Sequence, residues 1–323
     1  MAKGNKKTTT TKKPKVIIRT YQASDLEAVQ RLHGTATTEL IPESIRSKLW
    51  APLTWLVWFA VYSAILLIIP RLITMLQVEE WVINFTKVFL SFLWAAVGFA
   101  MILIASQRVE TIDRIEEANA NDLADPELFY LNYYYNNNGE KERKPQKEQV
   151  ASHFWVLTLD DEVCGMVGLT SNKHDIDDQR DEVLVGWKCI LASFFEIARI
   201  PLQLKTYNTK SAKSVFIRKQ IPNTATVTRW TVHPELLNHG FSTLLMNRVL
   251  TWSNEHGIDR VYADTNECCM AAEQIMTRRH GFTLMKRSNI GLFGQYKKLY
   301  VCNVPEWISV YGEKSRAGFK KSS

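Results

Sequence analysis

Two long stretches of the chain carry no formal charge. Leu49 to Pro70 runs 22 residues between Lys48 and Arg71, and Val88 to Gln107 runs 20 residues between Lys87 and Arg108. At about 1.5 Å of rise per helical residue, each is long enough to cross the roughly 30 Å hydrocarbon core of a bilayer. A buried helix of a soluble domain meets the same count, but the flanks favour the membrane. Trp50, Trp55 and Trp58 gather at one end of the first run and Trp81 precedes the second, as interfacial aromatic residues do. With a short link between them, the runs predict a two-span transmembrane hairpin over residues 49–107. The first run starts too far along the chain for a cleaved signal peptide. Arg31, Arg46, Lys48, Arg108 and Arg114 flank the outer ends, against Arg71 and Lys87 in the link. The positive-inside rule then places both termini, and everything after residue 108, in the cytosol. The sequon Asn84-Phe85-Thr86 falls in the lumenal link, too close to the bilayer to carry weight.

The remaining composition narrows the functional classes. With 323 residues, 46% of them hydrophobic and 23% charged, the chain has room for about two domains and a sizeable core, which excludes a disordered or collagen-like protein. The net charge of +7 is concentrated at the ends: six lysines in residues 1–15, and Lys314, Arg316, Lys320 and Lys321 against Glu313 in residues 313–323. The 297 residues between sum to −2, which argues against a nucleic-acid-binding domain. Five cysteines without a C-x-x-C pair, and no cluster of His, Cys and carboxylates, support neither a disulfide scaffold nor a metal site. The terminal Lys320-Lys321-Ser322-Ser323 resembles the dilysine retrieval signal of endoplasmic-reticulum membrane proteins. That resemblance implies residence in the endoplasmic reticulum and coat-protein retrieval machinery engaging Lys320 and Lys321; a solubilising tail has the same composition.

Read along the chain, residues 1–15 form a basic tail, and residues 16–48 hold a short strand (Val16 to Tyr21) and a helix. Ser24 is the expected cap of that helix, with Glu27 three residues on. After the hairpin, residues 108–150 read as a helix extension and polar linker. Strands follow at Phe154 to Leu159 and Val163 to Leu169, turning at Asp160-Asp161. Residues 172–223 are an insert in which Trp187, Ile190, Leu191, Phe194 and Phe195 fall at helical spacing within Val183 to Leu204. This helix either lies in the membrane interface or packs on the domain, and Lys205, Lys210, Lys213, Arg218 and Lys219 would suit an anionic leaflet. Residues 224–305 read as strand, helix (Phe241 to Glu255), strand (Arg260 to Asp264), helix (Met270 to His280) and two strands, and residues 306–323 as a basic tail. The order implies a mixed α/β sheet with helices on its faces.

These residues resemble a family. The element order is similar to the GNAT acetyltransferases, and in detail to their camello branch, in which a membrane hairpin separates the first helix from the catalytic sheet. The resemblance rests on Ile18-Arg19-Thr20-Tyr21-Gln22-Ala23-Ser24-Asp25 before the hairpin and Phe154-Trp155-Val156 after it. Cys164-Gly165-Met166-Val167-Gly168, Arg229-Trp230-Thr231-Val232, and Asp264-Thr265 with Gly281-Phe282 continue it. It spans nearly the whole chain except the tails and residues 172–223, and implies acetyl-CoA as acyl donor with no metal.

In the family, an Arg/Gln-x-x-Gly-x-Gly/Ala loop and the following helix N-terminus hold the coenzyme A pyrophosphate. The corresponding stretch is Leu237-Asn238-His239-Gly240-Phe241-Ser242, so the resemblance assigns acetyl-CoA binding to Val232, His233, Asn238, His239, Gly240, Phe241, Ser242 and Thr243. Leu237 stands where the family has Arg or Gln, and Thr277 stands at the position of the family's acidic Tyr. A threonine hydroxyl is a poor proton donor at neutral pH. Glu235 and Tyr262 are the remaining candidates for acid–base work, although Glu235 reads as a solvated turn residue and Tyr262 as core. Cys268-Cys269 read as small packing residues. Two functions follow. One is an endoplasmic-reticulum N-acetyltransferase acting on an amine, either a small conjugate or a protein lysine. The other is a non-catalytic GNAT-shaped membrane module serving as export or folding factor for a membrane protein such as a transporter.

Overall fold

The computed structural model describes residues 14–75, 77–180, 182–183, 186–197, 199, 207–208, 215–291 and 293–320. Seven strands form its main sheet: β1 (Val16–Thr20), β2 (His153–Leu159), β3 (Glu162–Thr170), β4 (Thr224–Val232), β5 (Arg260–Asn266), β6 (Thr283–Asn289) and β7 (Tyr296–Asn303). Their spatial order is β1-β2-β3-β4-β5-β7-β6, with β4 and β5 parallel and every other pair antiparallel. The β2–β3 turn is tight because Asp160 and Asp161 both adopt positive φ, the left-handed twist that suits a two-residue hairpin.

The strands are apolar on both faces because helices cover both. Along β2, Trp155 and Leu157 join one cluster with Leu245, Met246, Val249 and Leu250 of helix Phe241–Glu255, whereas Phe154 and Val156 join another with Val29 and Leu32 of helix α1 (Leu26–Thr38). Alternation of side chains along a strand produces this division. Each fully buried apolar side chain of these clusters contributes about 1.5–3 kcal/mol.

After α1 come α2 (Ile41–Trp50), α3 (Pro52–Thr74) and α4 (Glu80–Ile104), the last continuing through π-helical turns at Ala105–Ile112 into α5 (Asp113–Ala120). Helices α3 and α4 are each long and apolar enough to cross a membrane. Only 6% and 11% of their most apolar stretches are buried, so they are not core helices of the domain. They pack on each other through Trp58, whose ring faces Trp94 at 5.7 Å and Phe99 at 5.8 Å and occupies the space a side chain on Gly98 would take.

Several sequence expectations need correction. Ser24 does not cap α1, and no side chain does: Asp25, at its N-terminus, instead closes the preceding 3₁₀ turn by accepting the Gln22 N–H at 2.9 Å, and also accepts from the Arg19 guanidinium at 2.6 Å. Residues 108–150 are more than a linker. They hold α5, helix α6 (Pro126–Tyr130) and a small hairpin, Tyr133–Tyr135 with Lys141–Arg143, and they place Leu123 and Tyr130 wholly inside the second cluster. Their polar composition concealed these anchors. Residues 306–323 are not merely a tail, because helix Val304–Lys320 packs Val304 and Trp307 into the first cluster. In the insert, helix α7 (Gly186–Ile197) spans the residues expected at helical spacing and rests against the π-helical turns, where Arg108 meets Glu196 at 3.1 Å. Lys205, Lys210, Lys213 and Lys321 lie outside the described residues.

Helices α8 (Phe241–Glu255), α9 (Met270–His280) and α10 (Val304–Lys320) complete the domain. Gly281, at φ +65°, ends α9 in the left-handed conformation that terminates helices.

Candidate active site

The parallel pair β4–β5 is joined only from Thr224↔Arg260 to Val227↔Ala263. Beyond that point β4 continues to Val232 alongside β3, and β5 continues to Asn266 alongside β7. The sheet therefore splits between its two central strands at their C-terminal ends.

The split coincides with a bulge. Between Thr228↔Gly168 and Thr231↔Met166, β4 uses one residue more than β3, and Arg229 takes φ +50°. The two residues within the bulge, Arg229 and Trp230, are held on opposite faces of the sheet. Trp230 donates its indole N–H to the Ser242 carbonyl at 3.1 Å, tying the bulge to the first turn of α8. Arg229 turns to the α1 face and makes a two-pronged pair with Asp122, at 2.8 and 2.6 Å. Asp122 also accepts the Tyr130 hydroxyl at 2.6 Å, and Thr228 Oγ1 lies 2.9 Å from that hydroxyl. Asp122 is 1% exposed, so its charge depends on these partners. Burial and the adjacent Asp122 push the Tyr130 hydroxyl far above its ordinary pKa, which keeps it a neutral donor. Gly168 makes room for the network, since a Cβ there would stand 2.6 Å from Thr228 Oγ1. Sequence reasoning missed Asp122 and Tyr130. The available signal was Arg229 itself, the one charged residue in an otherwise uncharged strand, which calls for a carboxylate partner.

On the opposite face, α8 begins at Gly240 with φ +85°, and no side chain caps its N-terminus. Its first N–H groups are thus available to an anion. Asn238 is also left-handed at φ +66°, and His239 Nδ1 sits 2.9 Å from the Leu237 carbonyl. A Cβ on Gly240 would meet no protein atom, so the space in front of the helix is open and the backbone conformation sets the glycine requirement. Leu237 brings no cation to this turn, but Arg279, on α9, donates to Thr243 Oγ1 at 3.2 Å, which sets a guanidinium beside the first turn of α8. An uncapped helix start, open space and a guanidinium suit a pyrophosphate.

The other expected residues are dispersed. Val232 has its side chain in the first cluster, so it offers only backbone to a ligand, and the His233 N–H is already given to Cys164 O at 2.8 Å. Glu235 is exposed in a single 3₁₀ turn, Pro234–Leu236. Tyr262 is half-buried on the side of β5 away from Val261 and Ala263 and belongs to neither cluster. Thr277 donates to the Glu273 carbonyl at 2.8 Å within its own helix. Burial pushes the Cys268 thiol up to about 12 and raises that of Cys269, so neither is a ready nucleophile. Beside Cys268 runs a narrow crevice lined by Thr37, Leu40, Ser44, Glu110, Thr111 and Arg114, on the α1 side of the split. Among the described residues no group of three His, Cys, Asp or Glu side chains is gathered for a metal. A cavity of about 980 Å³ lies at the far end of the sheet beside Tyr21, His153 and Trp252, away from the split.

The sequence profile of the acetyltransferase (GNAT) family matches residues 120–282, half of the chain and the part that holds the bulge, the split and α8. The chain belongs to this family. Its membership supports an acyltransferase function. Among solved structures, this GNAT protein is similar to a GNAT-family acetyltransferase from Staphylococcus aureus Mu50, at 12% identity over 90% of this chain and 99% of the other, with TM-score 0.40. It is also similar to an acetyltransferase from Streptococcus agalactiae 2603, at 12% identity over 63% of this chain and 89% of the other, TM-score 0.33. A third likeness is the ribosomal-protein-S18-alanine N-acetyltransferase from Escherichia coli, at 7% identity over 55% of this chain and 85% of the other, TM-score 0.30. No curated protein matches the chain significantly.

Proposed function

We propose that this GNAT protein is a membrane-anchored N-acetyltransferase of the endoplasmic reticulum, of camello type, with its catalytic sheet in the cytosol. The observation that carries the chemistry is the β4–β5 split facing an uncapped α8, with Arg279 beside the helix start. When bound, acetyl-CoA supplies a thioester whose acetyl group passes to an amine, the C–S bond breaking as the C–N bond forms and the amine's proton ending on the thiol. Gly240, Phe241, Ser242 and Thr243 offer N–H groups to the pyrophosphate, and Arg279 offers charge. The Arg229–Asp122 pair holds the bulge open, which leaves room between the strands. Thr277 and Glu235 are not placed as an effective acid and base, so the rate enhancement comes mainly from holding amine and thioester in contact. The membrane assignment is supported by the exposed apolar helices α3 and α4, their Trp and Lys/Arg flanks, and the dilysine pattern.

Calorimetric titration of acetyl-CoA into the full-length protein in detergent tests this reading. Micromolar binding abolished by Gly240→Arg is expected, because that side chain would fill the open space before α8. Absence of binding at millimolar ligand by a folded protein, or unchanged binding in the variant, overturns it. The Thr277 hydroxyl, bonded to its own helix, favours the second reading, a non-catalytic membrane module. Failure to bind acetyl-CoA, with a stoichiometric membrane protein recovered from native membranes, would establish that alternative.

A further inference from the structure

The loop between β6 and β7 connects the mouth of the split, where Asn266 of β5 pairs with Lys297 of β7, to the base of the hairpin. Gly294 lies against Ala51 and Ser47, so that a Cβ there would come within 3.4 Å of Ala51 Cβ, one residue before α3 begins. Gln295 donates to Glu110 at 2.7 Å, just past the apolar end of α4. The loop is thus attached to both stems. Beneath the contact, Lys48 bridges Glu110 at 2.7 Å and Ser106 at 3.0 Å, and Ser44 also bonds Glu110, so the stems and the loop share one buried polar lock.

From this attachment the loop presents apolar side chains to solvent. Ile290 is 67% exposed and Phe293 38%, and Trp50, on the adjoining stem, is 79% exposed. Arg46, one helical turn before Trp50, and Arg287, three residues before Ile290, are exposed as well, the latter over the Tyr296 ring at 4.4 Å. Apolar tips ringed by cations suit a bilayer interface, where the tips enter the acyl boundary and the cations meet phosphates. The crevice beside Cys268 shares Ser44 and Glu110 with this polar lock.

We infer that the β6–β7 loop is a third membrane-contacting element that seats the acceptor mouth on the bilayer, so that the acceptor is a primary amine carried on an apolar chain and held in the membrane interface. This inference rests on the reading of α3 and α4 as a membrane hairpin, and the test separates the two.

The full-length protein, with Cys189 and Cys269 changed to Ser, is reconstituted in phosphatidylcholine–phosphatidylserine vesicles. An environment-sensitive fluorophore is attached in turn to Phe293→Cys, Phe92→Cys on α4, and Asn138→Cys in the small hairpin. Dibrominated lipids should quench positions 92 and 293 and spare 138. Quenching at 92 without 293 overturns the loop's role and leaves the hairpin standing; no quenching at 92 overturns both. Acceptor class is read in the same vesicles from kcat/KM for dodecylamine and propylamine. Dodecylamine should be preferred, and Phe293→Asp should reduce that preference by roughly tenfold while leaving propylamine unchanged. Equal use of the two amines, or acetylation of neither, overturns the acceptor class, and the fluorophore result still decides the membrane contact.

Discussion

The two faces of the central sheet draw on alternate residues of the same strands but are sealed in different ways. Toward α8 the contacts are apolar throughout the cluster of Trp155, Leu157, Leu245 and Val249, and even the buried His280 lacks a hydrogen-bond partner on either ring nitrogen. Toward α1 the apolar cluster surrounds a buried charge pair, Arg229 with Asp122, reinforced by Tyr130. The difference follows the bulge. A regular strand needs only packing, whereas a bulged residue at positive φ needs a specific partner to hold its side chain in place. The charged face is thus where the fold maintains the split, and the apolar face is where it gains cohesion.

Substitutions can break this comparison, beginning with the largest effect. Asp122→Ala leaves Arg229 buried and unpaired, and should cost about 3–5 kcal/mol in a denaturant titration. It should also weaken acetyl-CoA binding in whatever protein remains folded. A loss below about 1 kcal/mol would show that the charge pair does not hold the bulge. Leu157→Ala, on the apolar face, should cost about 3 kcal/mol as a cavity, with acetyl-CoA affinity unchanged in the folded fraction. A matched drop in affinity would mean that both faces shape the site.

Acid tests the apolar face directly. Burial lowers the His280 pKa to about 4, against roughly 6.5 in an unfolded chain. The unfolded state therefore binds a proton that the folded state refuses. The stability this neutral histidine permits is fully present above pH 6.5 and is lost as pH falls toward 4. Between pH 7 and 5 the expected loss is about 2 kcal/mol, and His280→Phe should remove that part of the slope in urea midpoints measured at both pH values. An unchanged slope would mean that the face is not sealed around a neutral ring. The smallest effect belongs to Arg279→Ala. It should weaken acetyl-CoA binding about fivefold and flatten its salt dependence, leaving stability within about 0.5 kcal/mol.

Much of this architecture was legible in the chain. The periodicity of Phe241 to Glu255, the glycine after His280 and the Asp160-Asp161 turn are local signals, and the corresponding elements stand where they were expected. What was hidden lay in residues whose partners are remote in sequence. Asp122 and Arg229 are 107 residues apart, and Thr243 and Arg279 are 36 apart, separations at which no local pattern operates. The stretch 108–150 read as a helix extension and polar linker, yet Leu123, Tyr130 and Leu131 anchor it in the cluster that holds Phe154 and Val156 of β2.

Hydrophobic patterning along the chain determined the two apolar helices, the alternating strands and the helix ends, since each depends on residues within a few positions of one another. The family resemblance, rather than the patterning, singled out Gly240 at the start of α8 and Leu237 where the family carries Arg or Gln. Only the tertiary structure decided that Arg279 sits beside Thr243 at the start of α8, that Thr277 turns back on its own helix, and that Asp122 pairs with the bulged Arg229. These outcomes depend on which distant side chains the fold brings within hydrogen-bond reach, a property of the packed sheet rather than of any window of sequence.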